Sequence, residues 1–188
     1  MSFTELYDEV QRRQGRISTH WLRDTAISLS QIISVKQQWT GTLDPNFMRG
    51  FYIEGPLGPP VPIKERESLI VLARGLDPNW RRLVYAKELM HVFDEPEEKI
   101  DTSEKLDAQA EKCADPQADS SPQFRAENKA LFRAVSLFCQ ESRRLEYERA
   151  LSRNEISLDV ISASLRIPAV YARHLFRQDY LAILSHLK

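Results

Sequence analysis

With 188 residues, a hydrophobic fraction of 42% and a charged fraction of 28%, the chain suits one soluble domain with a substantial core. Its 26 basic and 27 acidic residues leave a formal charge of −1, which excludes a whole-chain basic footprint for nucleic acid. No run is long and apolar enough to span a bilayer, and "MSFTELYDEVQRRQ" lacks the apolar core of a signal peptide, so the expected location is cytoplasmic.

The first forty residues read as helical. "SFTELYDEVQRRQ" opens with a Ser-x-x-Glu capping pattern, and "STHWLRDTAISLSQIISVKQQW" repeats apolar positions at helical spacing. "TGTLDPN" breaks that pattern with a turn. "RGFYIEG" and "ESLIVLARG" are short β-branched and aromatic runs bounded by glycine, which predicts a small sheet. In "LDPNWRRLVYAKELMHVFD" Asp77 caps a helix and Pro78 suits its first turn, with Leu83, Val84, Leu89 and Val92 on an apolar face.

From Asp94 to Asp119 there are ten acidic residues against three lysines, interrupted by prolines, and the spacing is not that of a calcium loop. A solvated loop is expected there, with Cys113 on it. "SPQFRAENKALFRAVSLFCQESRRLEYERALS" reads as one helix burying Ala130, Ala134, Leu137 and Phe138, beside a packed, reduced Cys139. "ISLDVISASLRIPAVYARHLFRQDYLAILSHLK" reads as two or three short helices, with Pro168 opening one of them.

The chemistry-bearing stretch is "AKELMH". A helix bearing His-Glu-x-x-His offers zinc two ligands on one face and a glutamate as base, and here Glu88 and His91 stand in that spacing with Lys87 in place of the first histidine. Lysine binds zinc only as the neutral amine, and removing its proton at neutral pH costs roughly 4 to 5 kcal/mol. A lone K-E-x-x-H also suits a solvent-facing helix stripe with an i to i+4 partner.

The segment resembles the core of the ImmA/IrrE metallopeptidase-like family, in which a strand and turn lead into an active helix ending A-H-E-x-G-H. Ala86, Glu88 and His91 fall on matching positions, while Lys87 and Met90 depart from it. The family's later helix, E-x-E-A-N-x-F-A-x-x-L-L-x-P, resembles "ENKALFRAVSLFCQ", with Glu127, Ala130, Ala134, Leu137 and Phe138 in register and Lys129, Leu131 and Gln140 as departures. The resemblance implies that Glu127 stands where the third metal ligand would be. It also implies an α+β, mainly helical fold with a zincin-like core and a small β-sheet packed on the active-site helix. The implied single domain, 1–188, has N-terminal helices over 1–45, a core over 46–153 with the acidic loop 94–121, and a C-terminal helical pair over 154–188.

Three functions are compatible with these residues. The first is a degenerate peptidase-like regulatory module without cofactor, in which Lys87, His91 and Glu127 form an altered metal site and the old substrate groove binds a protein partner such as a repressor. In it Glu127, facing the place of a dication, needs a compensating charge, so an ion pair with Lys87 is expected, with His91 nearby. The second is an active zinc endopeptidase cleaving a regulatory protein through an atypical site, in which Lys87 or a residue of the acidic loop helps hold the metal, with His91 and Glu127 as ligands and Glu88 as the base. The third is a DNA-associated regulator using the helix-turn-helix-like "SLDVISASLRIPAVYARHLF". Eight basic against five acidic residues from Arg143 to Lys188 is only a mild excess, which favours packing over DNA contact.

Overall fold

The computed structural model describes residues 2–58, 62–99 and 122–188. Cys113 and the acidic run beyond residue 99 lie outside the described residues. The chain begins with α1, Phe3–Arg12, whose first turn is closed by the Glu5 carboxylate accepting from the Ser2 backbone N–H at 2.9 Å. Phe3, Leu6, Tyr7 and Val10 form its buried stripe. Helix α2, Thr19–Ser28, starts where Ser18 Oγ accepts from the Trp21 N–H.

The N-terminal helical run ends there. Residues Ser34–Thr40, expected as helix, form strand β1. Strand β2 is Gly50–Glu54 and β3 is Glu67–Ala73, and the sheet order is β1-β3-β2. β1 runs parallel to β3, pairing Ser34 with Glu67 through to Thr40 with Ala73, whereas β2 runs antiparallel, pairing Gly50 with Leu72 and Glu54 with Ser68. The reason for β1 lies in β3. Its buried run Ser68–Ala73 has backbone groups on both edges to satisfy, and "SVKQQWT" supplies the second partner.

Ile70 and Leu72 join the main core with Tyr52, while Leu69 and Val71 pack with Ile53 and Ile63 on the opposite face. The turn after β3 uses Gly75 at φ +86°, a conformation that a side chain disfavours. Asp77 then caps α3, Pro78–Leu89, by accepting from the Asn79 and Trp80 N–H groups at 2.9 and 3.1 Å. α3 lies across the sheet so closely that a Cβ on Gly50 would stand 2.8 Å from the Val71 carbonyl oxygen and 2.9 Å from Val84 Cγ1.

The helix expected over 121–152 is two: α4, Pro122–Leu137, and α5, Glu141–Ser152. The break is tertiary in origin, because the Gln140 side chain donates to the Val10 and Arg13 carbonyls at the end of α1. Three helices follow: α6 (Leu158–Leu165), the single turn α7 (Ala169–Ala172), which continues as a 3-10 turn over Arg173–Phe176, and α8 (Tyr180–Leu187). Of the two or three short helices expected at the end of the chain, three form. Ile161, Leu165, Leu175 and Leu184 belong to the same apolar cluster as Phe3 and Leu89, so the C-terminal helices pack into the shared core. Among the described residues no helix is long and apolar enough to cross a membrane.

Candidate functional site

Three elements converge at the C-terminal end of α3. α3 supplies Lys87 and Glu88, α4 supplies Glu127, and the edge strand β2 supplies Tyr52. The α-helix tightens after Leu89 into a 3-10 turn, Met90–Phe93, so His91 sits on that turn rather than on the regular helix expected from its spacing. The turn is fastened by Asp94, whose Oδ2 accepts from His91 Nδ1 at 2.5 Å. Tyr52 stacks on the imidazole with ring centroids 5.9 Å apart.

Lys87 Nζ donates to Glu88 Oε1 at 2.9 Å and is also ion-paired with Glu127 Oε2. The lysine–glutamate pair expected from the charge balance is therefore present, with His91 beside it. Glu88 is fully buried, whereas the Glu127 side chain retains 27% of its exposure. His91 Nε2 faces Glu127 Oε1 at 3.5 Å and Glu88 Oε2 at 3.7 Å. Among the described residues neither Nε2 nor Glu88 Oε2 has a hydrogen-bond partner.

The ionisation pattern follows from this geometry. Burial opposes the charge on Lys87, but the Glu127 and Glu88 carboxylates outweigh it and raise its pKa. Burial raises Glu88, an effect that the lysine opposes only in part. For Glu127 burial is overcome by Lys87 and His91, and the carboxyl is held below its ordinary value. Burial is likewise overcome at His91, where the Asp94 hydrogen bond and charge favour the imidazolium.

Glu88, His91 and Glu127 each offer a donor atom, and these atoms all lie within 4.8 Å of one another. The set resembles a cation site in its composition, but it does not fit a resident dication as it stands. An ammonium already takes one oxygen from each carboxylate, and the raised pKa of Lys87 keeps that ammonium charged at neutral pH. What the cluster can do directly is present a buried, nearly neutral ionic network at the floor of a groove.

That groove has a volume of about 260 Å³ and runs between β2 and helices α3 and α4. Phe47, Met48, Trp80, Leu131 and Tyr171 make its walls apolar, while Lys87, Glu88 and Glu127 form its polar end. Arg49 lies 3.9 Å over the Trp80 ring, and Tyr171 meets Trp80 edge-on at 5.4 Å. β2 borders the groove as an edge strand. Its hydrogen bonds alternate, and those joining Ala73 N to Arg49 O and Gly55 N to Glu67 O fix their phase. That phase turns the backbone groups of Gly50, Tyr52 and Glu54 toward the side on which β2 has no strand partner among the described residues.

The sequence reading singled out Lys87, Glu88, His91 and Glu127, and the structure brings all four together. It missed Asp94, which was read as the start of the acidic loop, and it missed Tyr52. The spacing of Asp94 three residues after His91 was the available signal. Comparison with family models, with curated proteins and with solved structures finds no match, so the functional reading rests on this geometry.

Proposed function

We propose that the chain is a degenerate ImmA/IrrE-like, zincin-like domain that works without zinc as a protein-binding regulatory module. The observation supporting this reading is the Lys87 ammonium held between Glu88 and Glu127, with His91 alongside. A fixed organic cation there serves the charge balance that a dication would otherwise serve, and it has no open coordination position with which to polarise a carbonyl. The adjoining groove suits an extended segment of a partner. The edge of β2 away from β3 offers backbone hydrogen bonds, and the apolar walls offer side-chain contacts.

A second reading, an atypical metallo-endopeptidase with His91 and Glu127 as ligands and Glu88 as base, draws support from the convergence of the three donors and from His91 Nε2, which has no hydrogen-bond partner among the described residues. Elemental analysis of freshly purified protein separates the two. The expected result is metal-free natural protein and uptake of about one zinc by Lys87→His, whose imidazole completes the three-ligand set. Stoichiometric zinc in the natural protein would overturn the proposal and favour the peptidase, to be checked by loss of proteolysis in Glu88→Gln.

A further inference from the structure

A second cavity, of about 250 Å³, opens on the opposite side of α3 and shares no residue with the groove. Its wall includes four arginines, Arg16, Arg81, Arg82 and Arg166, together with Thr19, Gln37 and Trp39, and no carboxylate. In a chain whose formal charge is −1, that local excess is a feature of the fold. Among the described residues none of the four has an acidic partner.

Arg82 is the most confined of them. It is only 9% exposed, its Nη2 donates to the Ile17 carbonyl, and its guanidinium lies 4.2 Å over the Phe138 ring. Among the described residues its Nε has no hydrogen-bond partner. Burial, reinforced by the charges of Arg16 and Arg166, pulls its pKa down to about 10. A buried guanidinium facing further cations is costly unless an anion completes the set. Arg166 joins the wall from the residue that ends α6 at φ 55°, a left-handed position that few side chains adopt.

We propose that this cavity is a binding site for a small phosphorylated ligand, held through its phosphate by Arg16, Arg81, Arg82 and Arg166. A phosphate monoester brings a charge of about −1.5 to −2 and three acceptor oxygens, which match several guanidinium forks better than a single carboxylate does. The volume lies below the roughly 300 to 1,000 Å³ of sites for drug-sized molecules, which favours a small ester. The cavity is independent of the Lys87 cluster, so the proposal holds whichever reading of the groove is correct.

The test is calorimetric titration of the full chain with glycerol 3-phosphate and with inorganic phosphate. The expected result is saturable binding at one site per chain, with the two probes competing. Arg16→Gln and Arg166→Asn should each weaken it about tenfold or more. Both positions are exposed, and asparagine tolerates the left-handed backbone at 166, so the fold survives these changes. Arg153→Gln, which lies off the cavity, should leave the affinity unchanged. Three outcomes would overturn the proposal: no saturable binding of either probe up to about 10 mM, well past millimolar affinity; an equal loss in Arg153→Gln; or preferential binding of a short DNA duplex with a steep salt dependence, abolished by the same two variants.

Discussion

Replacing Lys87 with methionine removes the cation and keeps most of the side-chain volume. Lys87 Nζ lies 2.9 Å from Glu88 Oε1, where two unit charges attract by about 6 kcal/mol at an effective dielectric constant near 20. Desolvation offsets much of that attraction, yet the carboxylates left behind are still buried and now repel each other, and breaking such a buried pair costs about 3 to 5 kcal/mol. The partial exposure of Glu127 argues for the lower end, about 3 kcal/mol. For a chain of this size that is a fall in Tm of roughly 6 to 12 °C. The pH dependence gives a sharper signature. In the natural protein the raised Lys87 pKa makes its contribution full below its unfolded value near 10.4, and it is lost as pH rises through the folded value. The lowered Glu127 pKa makes its contribution present above about 4.3 and lost as pH falls through the folded value. In Lys87→Met the two carboxylates keep only the His91 ring as a counter-charge and are pushed upward, so the deficit should be largest near pH 8 and shrink by about half near pH 5, as one of them takes up a proton. Urea denaturation of both proteins at the two pH values measures this directly. A deficit below about 1 kcal/mol at pH 8, or one that does not change with pH, would refute the view that Lys87 is the charge holding this cluster together.

Two further outcomes test the surroundings of the site. Gly50→Ala should destabilise the protein by about 1 to 3 kcal/mol in the same assay, because its Cβ meets the β3 backbone and Val84 at once; an unchanged urea midpoint would show that α3 can move away from the sheet. In an NMR titration the His91 ring should give a pKa above 6.5, and Asp94→Asn should lower it. Because the folded value is raised, the stability that His91 contributes is complete below its unfolded pKa and is lost as pH rises through the folded one. A natural-protein value at or below 6.5 would mean that the Asp94 hydrogen bond does not hold the imidazolium.

Local signals were sufficient wherever a short stretch settles its own conformation. Asp77 and Pro78 marked the start of α3, glycine and proline bounded β2 and β3, and the need to balance Glu127 pointed to Lys87. β1 was misread because helical spacing runs on through Ile32 and Ile33, while the demand for a strand comes from β3, thirty-three residues later in register. The break between α4 and α5 is set by Gln140 reaching α1, 127 residues away from Arg13. Asp94 became the partner of His91 only because the helix tightens into a 3-10 turn there. The arginine cavity gathers residues from α3, the two loops before α2 and after α6, and the strand that was missed, so no contiguous window of sequence contains it. Composition, capping and alternation act over a few residues and can be read along the chain. Which distant charges face one another is decided by the path of the backbone, and that path is chosen by burying β3 and α3 in one core.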